Sequence, residues 1–263
     1  MNMLSVKQVT EIALNVGRIL LQSGATTNRV ELLMRKVCTG FGYPDTESFV
    51  TPTGIFISVK DSDAETSTSI KRIDSRKIDL GKITRISRLV NCLSEKKCHS
   101  SLRVSDLKEF KRELDIIDAE VVWKSWLTNL CGGATSGFFC LLFGGTWIEF
   151  IVATVIGVIV SFGMKYLVKL SFNNFLQNAF AAAFIVLLAK VFDLYVPYIN
   201  LDNIIIGGIM LLVPGLSITN AIRDTMSGDL VSGSARALEA MFITVGIVAG
   251  SGSMLKIWEL WGY

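Results

Sequence analysis

The sequence predicts a membrane protein with an α+β N-terminal domain at residues 1–122 and an all-helical transmembrane domain at 123–263. Charge is unevenly distributed, since residues 1–120 hold 19 of the 26 Lys and Arg and 16 of the 23 Asp and Glu. The remaining chain has too few charged groups to present a polar surface to water. It contains apolar runs of about 20 residues, the length that crosses a bilayer as a helix.

The N-terminal domain is predicted to combine helices with a small sheet. Apolar residues recur at helical spacing over 6–20, and Gly24 is placed to end this helix in a left-handed conformation. Thr27 or Asn28 can cap a second helix that reaches about Phe41. The pattern then predicts strands at 48–51, 54–60 and 66–73, followed by amphipathic helices at about 80–93 and 106–117.

The transmembrane domain is predicted to be a bundle of about five helices. The segment 125–148 carries no charge, and Trp123 and Trp126 mark its interfacial end. Lys165 lies inside the second apolar run, where its long side chain can reach the interface. The predicted spans are 125–146, 148–168, 170–191, 203–222 and 237–258.

Lysine and arginine flank the spans asymmetrically, which predicts the orientation. One side would carry Lys124, Lys165, Lys169, Arg223 and Arg236, and the other only Lys190 and Lys256. Because the basic side stays in the cytoplasm, we expect a cytoplasmic N-terminus and an outer C-terminus. The first 15 residues lack the basic start and continuous apolar stretch of a signal peptide, so the N-terminal domain is expected inside the cell.

The motifs of several protein classes are missing from the sequence. There is no phosphate-binding P-loop or convincing dinucleotide fingerprint, so no cofactor is predicted. His99 is the only histidine and the five cysteines include no C-x-x-C pair, which gives no basis for an enzyme or a metal site. A basic cluster is interrupted by Asp74 and Asp79, which favours a solvated face or an anionic-lipid contact over nucleic acid. The cluster comprises Lys71, Arg72, Arg76, Lys77, Lys82, Arg85 and Arg88.

A Pro-Gly pair interrupts the fourth apolar run. Pro214 has no N–H and clashes with the preceding turn, while Gly215 lets the backbone bend. The helix is therefore predicted to be kinked or broken here. Transporters use broken helices at membrane depth to bind substrates and ions. An ordinary proline kink followed by a cytoplasmic loop is the structural alternative.

Polar residues elsewhere in the apolar half extend this candidate pathway. Asn220 and Asp224 stand four residues apart, hence on one helical face, and Arg223 could pair with a carboxylate. Asn129 and Gln177 lie early in the first and third spans. Buried polar groups of this kind face a bundle interior or a wet cavity, although hydrogen bonding between helices explains Asn129 and Gln177 equally well.

Two sequence blocks carry a family resemblance. LLQSGATTNRVELLMRKVCTGFGYPDTESFVTPTGIFISV at 20–59 and LLVPGLSITNAIRDTMSGDLVSGSARALEAMFITVGIVAG at 211–250 resemble the ThrE-type threonine/serine exporter family. The first block is similar to the family's cytoplasmic domain and the second to its Pro-Gly-containing membrane core. The chain is most similar to the larger, YjjP-like subunit of the split form of this family.

The resemblance implies a secondary transporter that exports small polar metabolites across the bacterial inner membrane. It implies threonine and serine or dicarboxylates such as succinate as substrates, and a small YjjB-like membrane subunit as partner, with a homo-oligomer also possible. Single-chain members of the family carry about twice as many spans. Mapped onto this chain, the Pro-Gly block selects Pro214, Gly215, Asn220 and Asp224.

Two hypotheses from other classes remain open on sequence alone. The spans could merely anchor a regulatory or scaffold protein with a cytoplasmic sensing domain. The polar residues within the spans argue against this hypothesis. An intramembrane aspartyl protease would need two intramembrane aspartates. Asp229, in the fragment Ser-Gly-Asp, lies in a predicted loop, and Asp193 is expected on the other side of the membrane.

Overall fold

The computed structural model describes residues 5–61, 66–74, 77–99, 104–120, 123–169 and 172–261. This part of the chain is mostly helical and contains one three-stranded sheet. The elements of the N-terminal region are α1 (Val6–Gln22), α2 (Thr27–Gly40), β1 (Thr46–Thr51), β2 (Gly54–Lys60), β3 (Thr66–Arg72), α3 (Leu80–His99) and α4 (Val104–Ala119). The remaining helices are α5 (Ser125–Leu142), α6 (Trp147–Lys169), α7 (Asn174–Tyr195), α8 (Leu201–Met210), α9 (Gly215–Met226) and α10 (Leu230–Leu260).

The chain divides into two compact units. The first unit comprises Met1–Val122 together with Ile218–Ala237, and the second comprises Trp123–Ser217 and Leu238–Tyr263. The predicted transmembrane domain, 123–263, included 218–237, whereas this segment packs within the first unit. The reason is a set of side-chain hydrogen bonds from 218–237 to the backbone of the N-terminal region, described below.

The core of the first unit is formed by the inner face of the sheet and by the four helices α1 to α4. The sheet is antiparallel in the order β1-β2-β3, with Val50 opposite Ile55 and Phe56 opposite Ile70. Val50 and Ile55 are fully buried on the inner face, whereas Phe56 and Ile70 are exposed on the outer face. This alternation follows from the two-residue period of a strand. The predicted strands and helices of this unit are confirmed, with α3 extending beyond its predicted end to His99.

The end of α1 positions a turn that is used by the candidate site. Gly24 adopts a left-handed backbone with φ 91°, as the sequence predicted. The N–H of Ala25 then bonds to the carbonyl of Leu20 at 3.0 Å, and the N–H of Gly24 to that of Leu21 at 3.2 Å. These two bonds form the Schellman motif, in which a residue with a side chain would be strained.

Close helix contacts at glycine hold the second unit together. A Cβ atom built on Gly207 of α8 would lie 2.7 Å from the carbonyl oxygen of Ser136 on α5. One built on Gly157 of α6 would lie 2.9 Å from the Cα of Gly133. Small residues let transmembrane helices approach closely in this way. Outward-facing side chains of α6, among them Ile151, are exposed and apolar, as lipid contact requires.

Three helices are long and apolar enough to cross a membrane, namely α6, α7 and α10, within the described residues. A fourth span results if α8 and α9, bent by 55° at their break, are counted together. The predicted number of five is not confirmed, because α5 carries Asn129 and several hydroxyl residues and is not among these spans. Its role as a span stays a prediction.

Some helix ends differ from the approximate ends of the predicted spans for identifiable physical reasons. The third span was predicted from residue 170, but α7 begins at Asn174 because the Asn173 side chain caps it by accepting the N–H of Leu176 at 2.9 Å. The fourth predicted span is two helices. The helix that contains the fifth predicted span begins earlier, at Leu230, and its part from Leu238 onward belongs to the second unit. The side chains of Cys98 and His99 and the placement of Arg76 lie outside the described residues.

Candidate functional site

The Pro-Gly pair breaks the apolar helix, as the sequence predicted. The end of α8 tightens, because the N–H of Leu211 bonds to Gly208 at 3.2 Å and that of Leu212 to Ile209 at 2.8 Å. These bonds span three residues instead of the four of an α-helix. Pro214 follows without an N–H, and α9 starts at Gly215. We call residues 211–214 the break.

The segment after the break folds back on itself within the first unit. We call residues 218–237 the elbow; it contains most of α9, the turn around Gly228 and the start of α10. Gly228 has φ 88°, and the N–H of Asp229 closes the turn by bonding to the carbonyl of Asp224 at 2.9 Å. A Cβ atom built on Gly233 would lie 3.1 Å from the carbonyl oxygen of Ala221, so α9 and α10 touch backbone to backbone.

Asn220 and Asp224 share the buried face of α9, as their spacing predicted. Both are buried. The Asn220 side chain donates to the carbonyl of Gly24 at 3.0 Å. Arg223, the residue before Asp224, is exposed. Two of these three predicted site residues therefore have protein partners in the first unit, and the third is available to solvent or ligand.

Asp224 forms a buried ion pair with Arg236. Nε of Arg236 lies 3.0 Å from Oδ2 of Asp224, and the side chains are 3% and 0% exposed. The same guanidinium donates from Nη2 to the carbonyl of Ala25 at 2.9 Å. The hydroxyl and N–H of Thr27 also face Asp224. Even so, no hydrogen bond of ordinary geometry reaches either carboxylate oxygen within the described residues.

Two further carboxylates lie near this pair. Asp229 accepts the N–H of Ser232 at 3.2 Å, as an aspartate at a helix N-cap does. Burial raises the pKa of Asp229, but hydrogen bonding by Ser232 and the nearby charge of Arg236 contribute to a larger opposite effect, so the pKa lies below its ordinary value. Glu31 accepts the N–H of Val50 at 2.9 Å. Burial raises the pKa of Glu31, and the charge of Asp229 adds to this effect.

Asn129 and Gln177 lie in the second unit on different helices. The Gln177 amide donates to the carbonyl of Phe172 at 2.6 Å. The Gln177 amide therefore satisfies a main-chain carbonyl just before its own helix. A hydrogen bond to another helix is not needed to explain why this polar side chain is buried. Asn129 on α5 has a buried Oδ1 atom without a hydrogen-bond partner in the described part of the chain. Such an atom marks a position where a ligand, water or further chain would be stabilised.

A buried carboxylate in the first turn of α6, Glu149, was not predicted from the sequence as a site residue. Glu149 is 2% exposed. Its Oε2 accepts the N–H of Thr146 at 2.9 Å and the side-chain amide of Asn203 at 3.2 Å, while Oε1 accepts the N–H of Asn200 at 2.8 Å. The signal was present, because Thr146 and Glu149 stand in the T-x-x-E spacing of a capping box. Glu149 thus joins the N-terminal ends of α6 and α8.

Two cavities of the second unit have apolar walls. One of about 510 Å³ lies along α5 and is lined by residues that include Cys131, Thr135 and Phe138. The other, of about 300 Å³, lies between α6 and α7 beside Met164 and Phe180. Neither is lined by a charged donor, so neither would stabilise a carboxylate.

Comparison with known proteins places the fold and the break in a family. The family model for ThrE, described as "Putative threonine/serine exporter", matches residues 11–258. The chain belongs to the ThrE family. The match includes most of both units and the whole of the break and elbow. The resemblance noted from the two sequence blocks is therefore confirmed.

Curated relatives include single-chain and subunit forms. The chain is 23% identical over 248 residues to a "Probable threonine/serine exporter" of Mycobacterium tuberculosis, covering 94% of this chain and 46% of the relative. It is 27% identical over 263 residues to the "Probable succinate transporter subunit YjjP" of Escherichia coli, covering 98% and 97%. A "Threonine/serine exporter" of Corynebacterium glutamicum is 23% identical, with 97% and 52% covered.

The chain thus spans about half the length of the two threonine/serine exporters and nearly all of the succinate transporter subunit. No solved structure matches it. The family and these relatives are named as transporters and not as enzymes, in agreement with the sequence prediction. This ThrE-family chain is therefore a multi-pass membrane protein of the transporter class.

Proposed function

We propose that this ThrE-family chain is a subunit of a secondary transporter that exports small carboxylate metabolites across the bacterial inner membrane. The observation that carries the proposal is the family match over residues 11–258, which contains a broken apolar helix followed by polar residues. Broken helices in transporters expose backbone groups that bind substrates and ions. The membrane-anchored regulator gives no reason for this break.

The proposed substrates share a carboxylate group. Relatives are named as exporters of threonine and serine or as a succinate transporter subunit. Arg223 is the charged donor best suited to such a group, because it is exposed and lies on the helix that begins at the break. Arginine binds carboxylates through paired, charge-assisted hydrogen bonds.

The proposed pathway keeps the seven residues selected from the sequence and gives them different roles. Arg223 contacts the substrate, and Pro214 and Gly215 shape the break. Asn129 contributes its unpartnered oxygen from α5. Gln177, Asn220 and Asp224 support the helices of the pathway, since each already has a protein partner.

We further propose that a small YjjB-like membrane subunit completes the site. The Escherichia coli relative, 97% of whose length this chain covers, is named a transporter subunit. The two apolar cavities of the second unit described above carry no charged donor for a carboxylate, which is in keeping with a site that a second subunit completes. Copies of this chain could supply such donors in a homo-oligomer. The proposed orientation has the N-terminal domain in the cytoplasm and the C-terminus outside.

The proposal is tested by efflux of radiolabelled threonine, serine and succinate from preloaded bacterial cells. The cells express this chain alone, the YjjB-like protein of the same genome alone, or both. We expect efflux of one substrate class only when both are present. Loss of efflux when the proton gradient is dissipated would support secondary transport. Absence of efflux of all three, with both proteins in the membrane, would contradict it.

The role of Arg223 has a matched test in the same cells. Arg223→Ala removes the exposed donor and should abolish efflux while the amount of protein in the membrane is unchanged. Arg88→Ala removes another exposed arginine, located on α3, and should leave efflux at the parental rate. Normal efflux in Arg223→Ala would exclude a substrate contact at this residue.

A further inference from the structure

Arg236 has no assigned part in transport, and its burial needs an explanation. Only 3% of this side chain is exposed, and its ion-pair partner Asp224 is fully buried. Taking two charges out of water costs several kcal/mol per ion before their attraction is counted. Arginine is therefore almost never fully buried unless it is paired and hydrogen-bonded.

The contacts of Arg236 reach across the first unit to the turn between α1 and α2. Its Nη2 donates to the carbonyl of Ala25, and the Asn220 amide donates to the adjacent carbonyl of Gly24. Both carbonyls follow the last turn of α1, so neither is used within that helix. Ser232 adds a third contact from its hydroxyl to the carbonyl of Val50 at 3.4 Å. The elbow is thus fastened to the N-terminal region mainly through main-chain carbonyls.

Charge reinforces this attachment. The first turn of α2 lacks a side-chain cap from Thr26, and the elbow carboxylate of Asp224 faces Thr27 there instead. A carboxylate is favoured at a helix N-terminus by the helix dipole. Arg236 faces both Asp224 and Asp229 and is the cation that offsets their repulsion. Removing its charge would leave two elbow carboxylates facing each other.

We propose that Arg236 is a positioning residue for transport, holding the elbow, and with it the helix α9 that follows the break, on the α1–α2 turn. The inference rests on the proposed transport function. It follows from chain continuity, because α9 begins at the break and α10 continues as an apolar helix to Leu260. Since α9 runs without interruption from Gly215 to Met226, release of the elbow from the turn would free the helix that follows the break.

The test uses a buried reporter in the elbow. Ser232 is fully buried, so Ser232→Cys should react slowly with N-ethylmaleimide while the elbow is in place. The five native cysteines are first replaced by serine or alanine. Labelling is measured by the mass of the intact protein, and efflux is measured in cells that express the same variants with the partner. Only variants that purify as monodisperse protein are compared.

We expect Arg236→Gln to label at least tenfold faster than the parent and to lose efflux. Arg236→Lys retains the charge and should stay close to the parent in both measurements, as should the control Arg88→Gln on α3. The double variant Asp224→Asn, Arg236→Gln removes both charges of the ion pair. It therefore lacks the buried, unpaired Asp224 carboxylate that Arg236→Gln alone would leave. We expect this double variant to label as slowly as the parent, and its rate of efflux to return toward the parental rate to the same degree.

The proposal requires labelling and efflux to change together. A variant of Arg236, alone or combined with Asp224→Asn, that labels slowly but does not transport would overturn it, because Asp224 or Arg236 would then act on the substrate directly. Fast labelling with normal efflux, or unchanged labelling in Arg236→Gln, would also overturn it. Should the parent itself export none of the three substrates, the proposed function fails, while the labelling rates still decide whether Arg236 holds the elbow.

Discussion

Glu149 Oε1 accepts the backbone N–H of Asn200, 51 residues later in the chain, at 2.8 Å and so connects the start of α6 with the start of α8. The other oxygen caps the start of its own helix through Thr146. All three donors around this carboxylate are N–H groups, which stabilise a negative charge. The N-terminal ends of two helices also favour an anion. Glu149 therefore fixes the start of α8, the helix that leads to the break.

Glu149→Gln should destabilise the protein although it changes only one atom of the side chain. One carboxylate oxygen becomes an NH2 group that faces another N–H donor, and a buried unsatisfied group costs about 1–3 kcal/mol. We expect a lower thermal unfolding midpoint in detergent and reduced efflux. Asp202→Asn is the matched control, because Asp202 is exposed in the first turn of α8. Equal midpoints for the two variants would contradict this role of Glu149.

Gly207→Ala should separate α8 from α5. The added methyl group would lie 2.7 Å from the carbonyl oxygen of Ser136 and 3.0 Å from the N atom of Cys140, and backbone atoms cannot rotate away. Overpacking of this kind costs about 1–3 kcal/mol, which should appear as a lower unfolding midpoint. Gly252→Ala on α10 has open space around its methyl group and should be neutral or slightly stabilising. A destabilisation confined to Gly252→Ala would contradict the contact.

Much of the fold follows from local sequence signals. The two-residue and 3.6-residue periods place the strands and helices of the first unit, and Gly24 ends α1 where its φ above zero is needed. Pro214 locates the break because it cannot donate a main-chain hydrogen bond. These features depend on neighbours in the sequence, which explains why they were predictable.

The elbow was not predictable, because it depends on contacts between distant residues. Arg236 lies at the start of an apolar run and was interpreted as a flanking charge on the cytoplasmic side. Its partners include Ala25, 211 positions earlier in the chain. Asp224 was interpreted as a pathway residue, and that role stays a prediction. Its ion pair with Arg236 could not be predicted, because such a pair produces no periodic pattern in the sequence. The membrane boundary drawn from apolar runs consequently included a segment that packs with the N-terminal region.

The stability contribution of Glu31 should fall as the pH rises. Burial raises the pKa of Glu31 above its ordinary value of 4.5, so the folded protein holds this proton more tightly than the unfolded chain. Its contribution favours folding at low pH and is lost as pH rises through the folded pKa. Glu31→Gln keeps an acceptor for the Val50 N–H without the charge. We expect its unfolding midpoint to exceed the parent's by about 2 °C at pH 7 and to match it near pH 4.

Asp229→Asn should show the opposite dependence on pH. Because the pKa of Asp229 is lowered in the folded protein, its stabilising effect is present above the ordinary pKa and is lost as pH falls through the folded value. The variant should therefore unfold at a lower temperature than the parent at pH 7, with the difference narrowing in acid. The same sign for both variants at pH 7 would contradict the assigned environments.

The cysteines of the first unit should differ sharply in reactivity. Cys38 is buried in α2, and burial raises its pKa to about 11, so little thiolate is present at neutral pH. Cys92 on α3 is exposed. With a membrane-permeant maleimide we expect Cys92 to be modified and Cys38 to react only after unfolding, as located by peptide mass spectrometry. Modification of Cys38 at the rate of Cys92 in folded protein would contradict the packing of α2.

The central claim is that this chain takes part in moving a small carboxylate across a membrane. Its most direct test is radiolabelled efflux from proteoliposomes that contain the purified chain and the YjjB-like protein, loaded with threonine, serine or succinate. We predict efflux of one substrate class that depends on both proteins, responds to an imposed proton gradient and is lost with Arg223→Ala. Efflux no faster than from protein-free liposomes, with both proteins folded and inserted, would contradict the account.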